Sequence, residues 1–229
     1  ADAVAVAVAE GARPDLIDGD VFIKEPVDEQ GRKLAARESA WYEKGVRVKE
    51  ETVRAACGKT MDIFTAMLLH QLPENEQKRL YEPCCTYEVD YLRIHGANVY
   101  PGVRETLREL AKDYHLYIVS NCQEGYIQAF TSWSGLDDVI EDTEDYGTTG
   151  KMKADNIRLL MQRNELDSAI YVGDTEGDYE SALQAGIPFV FASYGFGQVS
   201  APVPEVHSIR ELAGLCRENG KLFGSCRAD

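Results

Sequence analysis

The second half of the chain repeats one arrangement: a short apolar run, a polar turn, then an amphipathic stretch. "LYIVSN" precedes "EGYIQAFTSWSG", "AIYVGD" precedes "YESALQAG", and "PFVFASYG" is followed by "SIRELAGLCREN". Two further amphipathic segments, "VRETLRELAKDY" and "KADNIRLLMQRN", lie between these runs. Strand-length apolar runs alternating with helices of about ten residues specify an α/β fold with a parallel, doubly wound sheet. Near the start, Val4, Val6 and Val8 alternate with alanines, which suits another buried strand with its small face under a helix. Such sheets bind ligands beyond the carboxyl ends of their strands. The residues ending each run are therefore where chemistry is to be sought.

Between about Leu34 and His95 the rhythm changes. No strand-like run occurs there, and "LAARESAWYEKG", "KEETVRAACG" and "TMDIFTAMLLHQL" are helical patterns punctuated further on by Pro73 and Pro83. The expected organisation is a Rossmann-like core built from residues 1–34 and 100–229, with a helical cap of residues 35–99 inserted into it. The "VYPGV" segment, with Pro101 and Gly102, fits a hinge between the two, and a second hinge is expected near residue 34.

The formal net charge of -15 argues against nucleic acid as partner, because phosphate backbones call for a basic surface. An anionic substrate would need local positive charge or a metal against that field. The six cysteines show neither CxxC nor zinc spacing, so reduced thiols are expected. The "AVAVAVA" opening is shorter than the roughly 20 apolar residues of a membrane span and lacks the basic lead of a secretory signal. The chain reads as soluble and cytoplasmic, with no membrane partner, as a monomer or homodimer.

The strand ends carry a consistent set of groups. "LYIVSN" delivers Ser120 and Asn121; "AIYVGD" delivers Asp174, with Asp178 one helical turn on; and "YGTTGKMKADN" puts Lys151 at a helix entrance. A hydroxyl and amide, a lysine and a carboxylate pair suit magnesium-assisted phosphoryl transfer. The carboxylates hold a hard cation while lysine and hydroxyl bind phosphate oxygens. Each alone has a plainer reading: a helix cap for Asp174 and Asp178, a turn for Ser120-Asn121, a solvated lysine for Lys151.

Together, "VSN", "GK" before a helix and "VGDTEGDYESALQAG" resemble the second, third and fourth motifs of the haloacid dehalogenase superfamily. The resemblance is strongest over residues 100 to 200. The helical block is similar to the cap that phosphoglycolate-phosphatase-like members insert after their first strand. The resemblance implies that Ser120 and Lys151 bind the phosphoryl group, that Asp174 ligates Mg2+, and that Asp178 belongs to the metal's surroundings. It implies a metal-dependent phosphatase acting on a small phosphorylated metabolite.

The family's first motif, an aspartate nucleophile at the end of the first strand with an acid two residues on, has no direct match. "DLIDGDVF" offers Asp18 as nucleophile and Asp20 as acid/base, both also near the metal. Aligning its "DG" instead makes Asp18 the acid/base and leaves Leu16 in the nucleophile's place. In a further reading the first forty residues have diverged or are foreign to the family, and the protein binds phosphate without turnover. A phosphomutase using the same intermediate is a third alternative.

The "CGKT" at 57–60 lacks the glycine and preceding strand of a P-loop. Lys59 is a candidate substrate contact from the cap, with a solvated surface lysine as the alternative.

Overall fold

The computed structural model describes residues 3–6, 52, 55–56, 58–97, 99–195 and 197–218, the first four of them by backbone alone. Among these residues six strands form one sheet: β1 (Ala3–Val6), β2 (His115–Ser120), β3 (Ile140–Asp145), β4 (Ala169–Gly173), β5 (Phe189–Ala192) and β6 (Glu205–Val206). Their order is β3-β2-β1-β4-β5-β6, and every pairing is parallel. The expected doubly wound α/β class is what the chain adopts.

The helices are α1 (Met61–Leu69), α2 (Glu74–His95), α3 (Val103–Leu110), α4 (Tyr126–Ser134), the single turn α5 (Tyr146–Thr149), α6 (Lys153–Arg163), α7 (Glu176–Ala185) and α8 (Ile209–Glu218). Side-chain alternation on the strands divides the core into two layers, as a sheet covered on both faces requires. Leu116, Ile118, Ile170 and Val172 pack with Leu107, Ile127 and Leu212 of α3, α4 and α8. Tyr117, Val119 and Tyr171 pack on the other face with Ile157, Leu160 and Ala182 of α6 and α7.

The sequence pattern misses β3. "IEDTED" has no apolar period, yet it forms the sheet edge beside β2. Two of its acids are taken up by α6: Arg163 Nε lies 2.8 Å from Asp142 and Nη1 2.7 Å from Glu144, whose side chain is buried.

The described part of the helical block consists chiefly of α1 and α2. The second half of α2 is fixed to the core, with Val89 and Leu92 packed on Ala129, Tyr126 and Phe130. Gln123 Nε2 also donates to Glu88 across that contact at 2.7 Å. Contact with the core thus extends well before the expected hinge near residue 100.

Candidate active site

Strand register places the site. Ala5 of β1 pairs with Tyr117 of β2 on one side and with Tyr171 of β4 on the other. Three residues further along each flanking strand stand Ser120 and Asp174. They are level with one another at the carboxyl edge, two strand spacings or about 10 Å apart. Both are buried. The Tyr171 hydroxyl donates to the Val119 carbonyl at 2.9 Å, which ties the two flanking strands together just below that edge.

Beyond Ser120 the chain turns sharply, and the Cys122 N–H donates to Ser120 Oγ at 3.2 Å. Asn121 Nδ2 donates to the Gly58 carbonyl at 2.8 Å. Gly58 adopts φ +75°, a conformation that suits glycine, and a Cβ there would rest 3.4 Å from Thr175 Cγ2. The Gly58–Thr60 turn therefore sits over the rim between Asn121 and the residue after Asp174. Lys59, next in that turn, is exposed. Asn121 Oδ1 is buried and has no hydrogen-bond partner among the described residues.

Asp178 is held by the protein through both oxygens. Lys153 Nζ lies 2.6 Å from Oδ1, with both side chains buried. Oδ2 accepts from the backbone N–H groups of Asp174 and Thr175 and from Thr175 Oγ1, at 3.2, 3.1 and 2.8 Å. Thr175 Oγ1 in turn accepts from the Asp178 N–H, completing a capping box at the start of α7. Burial acts to raise the Asp178 pKa, but the Lys153 charge and these donors outweigh it and hold the carboxyl below its usual range. This carboxylate fixes the Asp174–Thr175 turn.

Lys153, which the sequence reading passed over, is thus the lysine that reaches the Asp178 carboxylate. Its Nζ also lies 5.8 Å from the centre of the Tyr171 ring. Lys151 is exposed in the preceding turn, where its N–H donates to Thr149 Oγ1 and its carbonyl accepts from Asn156 Nδ2. Lys153 opens α6 and is buried, while Lys151, the lysine expected at the phosphate, is exposed in the turn before it.

Further acids line the rim. Asp145 ends β3 in register with Ser120, is buried, and caps α5 by accepting from the Thr148 N–H at 2.7 Å. Burial pushes its carboxyl up, and neighbouring Glu144 and Glu124 add to the rise. Tyr194 follows β5, its ring edge-on to Tyr100 at 5.0 Å. Burial raises its phenol pKa, with contributions from Tyr100 and Asp174. Asp18 and Asp20 lie outside the described residues.

Residues 33–192 match the haloacid dehalogenase-like hydrolases. The chain belongs to that family. The matched span contains Lys59, Ser120, Asn121, Lys151, Lys153, Asp174 and Asp178, whereas Asp18 and Asp20 precede it. A phosphoglycolate phosphatase of Rhodospirillum rubrum is 35% identical over 127 residues, covering 53% of this chain and 52% of the relative. The chain so spans about half the length of the curated relative it matches. Among solved structures, a "predicted phosphoglycolate phosphatase" from Haemophilus somnus superposes with a TM-score of 0.67 at 21% identity, covering 77% of this chain and 87% of its own. A haloacid dehalogenase-like family protein from Streptococcus pneumoniae gives the same TM-score and identity over 79% and 88%. At such identities these structures establish the haloacid dehalogenase-like fold, core and helical elements together.

The residues fit a magnesium ion of the kind such hydrolases use. Mg2+ is usually held by one or two carboxylates, with waters and substrate phosphate completing its shell. Asp174 supplies a buried carboxylate at the strand end, and Asp178 braces the turn that carries it. Among the described residues no group of three or more His, Cys, Asp or Glu side chains is gathered as a metal cage. No helix among them is long and apolar enough to cross a membrane.

Proposed function

We propose that this protein is a Mg2+-dependent phosphatase that hydrolyses a small phosphorylated metabolite through an aspartyl-phosphate. The observation that carries the reading is the meeting of Ser120, Asn121, Asp174 and the Lys153–Asp178 pair at one sheet edge. The 35% identity to a phosphoglycolate phosphatase supports a small phosphorylated acid as substrate.

Ser120 Oγ and Lys153 would bind phosphoryl oxygens, with Lys151 and Lys59 exposed nearby as added positive charge in an acidic chain. Asn121 holds the Gly58 turn with its amide nitrogen, and its buried Oδ1 could accept from a bound substrate, having no partner among the described residues. Mg2+, held by Asp174, would neutralise charge on the phosphoryl oxygens. The Asp18 carboxylate would attack phosphorus, forming a P–O bond as the ester P–O bond breaks. Asp20 would give its proton to the departing alkoxide, then take one from the water that cleaves the aspartyl-phosphate. That second step returns free phosphate and both starting carboxyl groups. Closure of the cap over the rim would exclude bulk water during both steps.

The family match begins at residue 33, and this favours a second reading in which the chain keeps the phosphate site without turnover. Phosphate release from p-nitrophenyl phosphate, with and without Mg2+, separates the two. The phosphatase reading expects metal-dependent release that Asp18→Asn abolishes. Activity that survives Asp18→Asn removes that residue as nucleophile, and magnesium-dependent phosphate binding without any release supports the binder. Isomerisation of a sugar phosphate in place of release would identify a mutase.

A further inference from the structure

The turn bearing Asp174 is enclosed by a segment from another part of the chain. After β5, Ser193 to Gly195 fold back over the end of β4. A Cβ built on Gly195 would come within 2.6 Å of Asp174 Cγ and closer still to its Cβ and Oδ2. A Cβ on Gly197 would stand 2.5 Å from the Asp174 carbonyl oxygen and 3.0 Å from Thr175 Cα. Real Cβ atoms do not approach so closely, so a side chain at either position forces its neighbours to shift. Gly195 has no positive φ to explain its identity; close approach to the carboxylate explains it.

The segment is anchored on both sides of this contact. The Ser193 N–H and Oγ donate to the Val206 carbonyl at 3.1 and 3.2 Å, and Oγ also meets His207 Nδ1 at 2.8 Å. Downstream, the Ser200 N–H donates to Glu176 Oε2 at 2.9 Å, and its hydroxyl reaches the same carboxylate at 3.2 and 3.3 Å. Tyr194 is braced edge-on by Tyr100. One wall of Asp174 is thereby fixed to β6, the other end to the first turn of α7.

We propose that Ser193–Gly195 and Gly197–Ser200 form a wall that orients the Asp174 carboxylate toward the metal position, with Gly195 as a positioning residue that governs Mg2+ affinity. Gly195 touches neither substrate nor reacting atoms; it acts through Asp174. The inference rests on the proposed metal role of Asp174. A methyl group at 195 must displace the carboxylate or the loop, and ligand groups tolerate only about half an ångström of misplacement.

The test is calorimetric titration of Mg2+ alone into wild type, Gly195→Ala and Gly214→Ala, with p-nitrophenyl phosphate kinetics alongside. Gly214 lies in α8 with open space around a built Cβ and serves as the control. The expected result is a Kd for Mg2+ raised about tenfold or more in Gly195→Ala, the size seen when a metal ligand loses its support. Gly214→Ala should match wild type, and KM for the phosphate ester at saturating Mg2+ should be preserved in both. A folded Gly195→Ala protein with wild-type Mg2+ affinity overturns the inference. If that variant does not fold, the double variant Ser193→Ala/Ser200→Ala decides, because it loosens the wall without crowding it. Weaker Mg2+ binding supports the wall, and unchanged binding overturns it. Absence of Mg2+ binding by wild type would instead sink the metal role of Asp174.

Discussion

Lys153 and Asp178 face each other at 2.6 Å inside the protein, each less than a tenth exposed. They come from different crossover helices, so the pair locks α6 against α7 beneath the rim. Removing one partner of a buried pair leaves a charge without compensation and costs about 3–5 kcal/mol. Lys153→Met is predicted to lose about that much stability by urea denaturation. Lys151→Met, at an exposed position, should stay within about 0.5 kcal/mol of wild type. Equal losses in the two variants would contradict the placement.

Ser120→Ala should leave the fold intact and lower kcat. Losing one preorganised donor to a developing oxyanion typically costs about a hundredfold or more in kcat. Steady-state kinetics with p-nitrophenyl phosphate measures it. A change confined to KM would assign Ser120 to ground-state binding alone.

Asn121→Ala removes the amide that holds the Gly58 carbonyl. The predicted cost is about 1 kcal/mol of stability, together with faster hydrogen exchange around residues 58–60. Unchanged exchange in that turn would show that the bond does not tether the cap to the rim.

Acid should erode the Arg163 contacts. Burial opposes ionisation of Asp142, but hydrogen bonds from Arg163 and Asn164 bring its pKa below the ordinary carboxylate value. A depressed folded-state pKa gives stability that is present above the unfolded value of about 3.9 and lost as pH falls through the folded one. The stability advantage of wild type over Arg163→Ala is therefore predicted to shrink as pH drops below about 4. Urea midpoints at pH 7, 4 and 3 would check this; a gap that widens in acid would contradict it.

How much of this was legible in the sequence depended on whether hydropathy and burial agree. The ends of β2 and β4 were readable because apolar runs stop abruptly at Ser120 and Asp174. At "KMK" hydropathy points the wrong way: Met152 is 58% exposed and Lys153 only 7%. A carboxylate on a distant helix reverses the preference, and no local pattern contains that partner. β3 was hidden for the same reason, since its Asp142 and Glu144 are neutralised by Arg163 from α6. The role of Asp178 was half visible. The spacing Thr175-x-x-Asp178 is that of a capping box, so the bracing of the turn by Asp178 was the part the sequence displayed.

The most direct measurement is a crystal structure grown with Mg2+ and tungstate, a phosphate mimic that anomalous scattering locates. The account predicts a tungsten peak at the carboxyl edge of the sheet, within hydrogen-bonding reach of Ser120 and Lys153, with Mg2+ on Asp174. Tungstate bound elsewhere, with that edge empty, would contradict it.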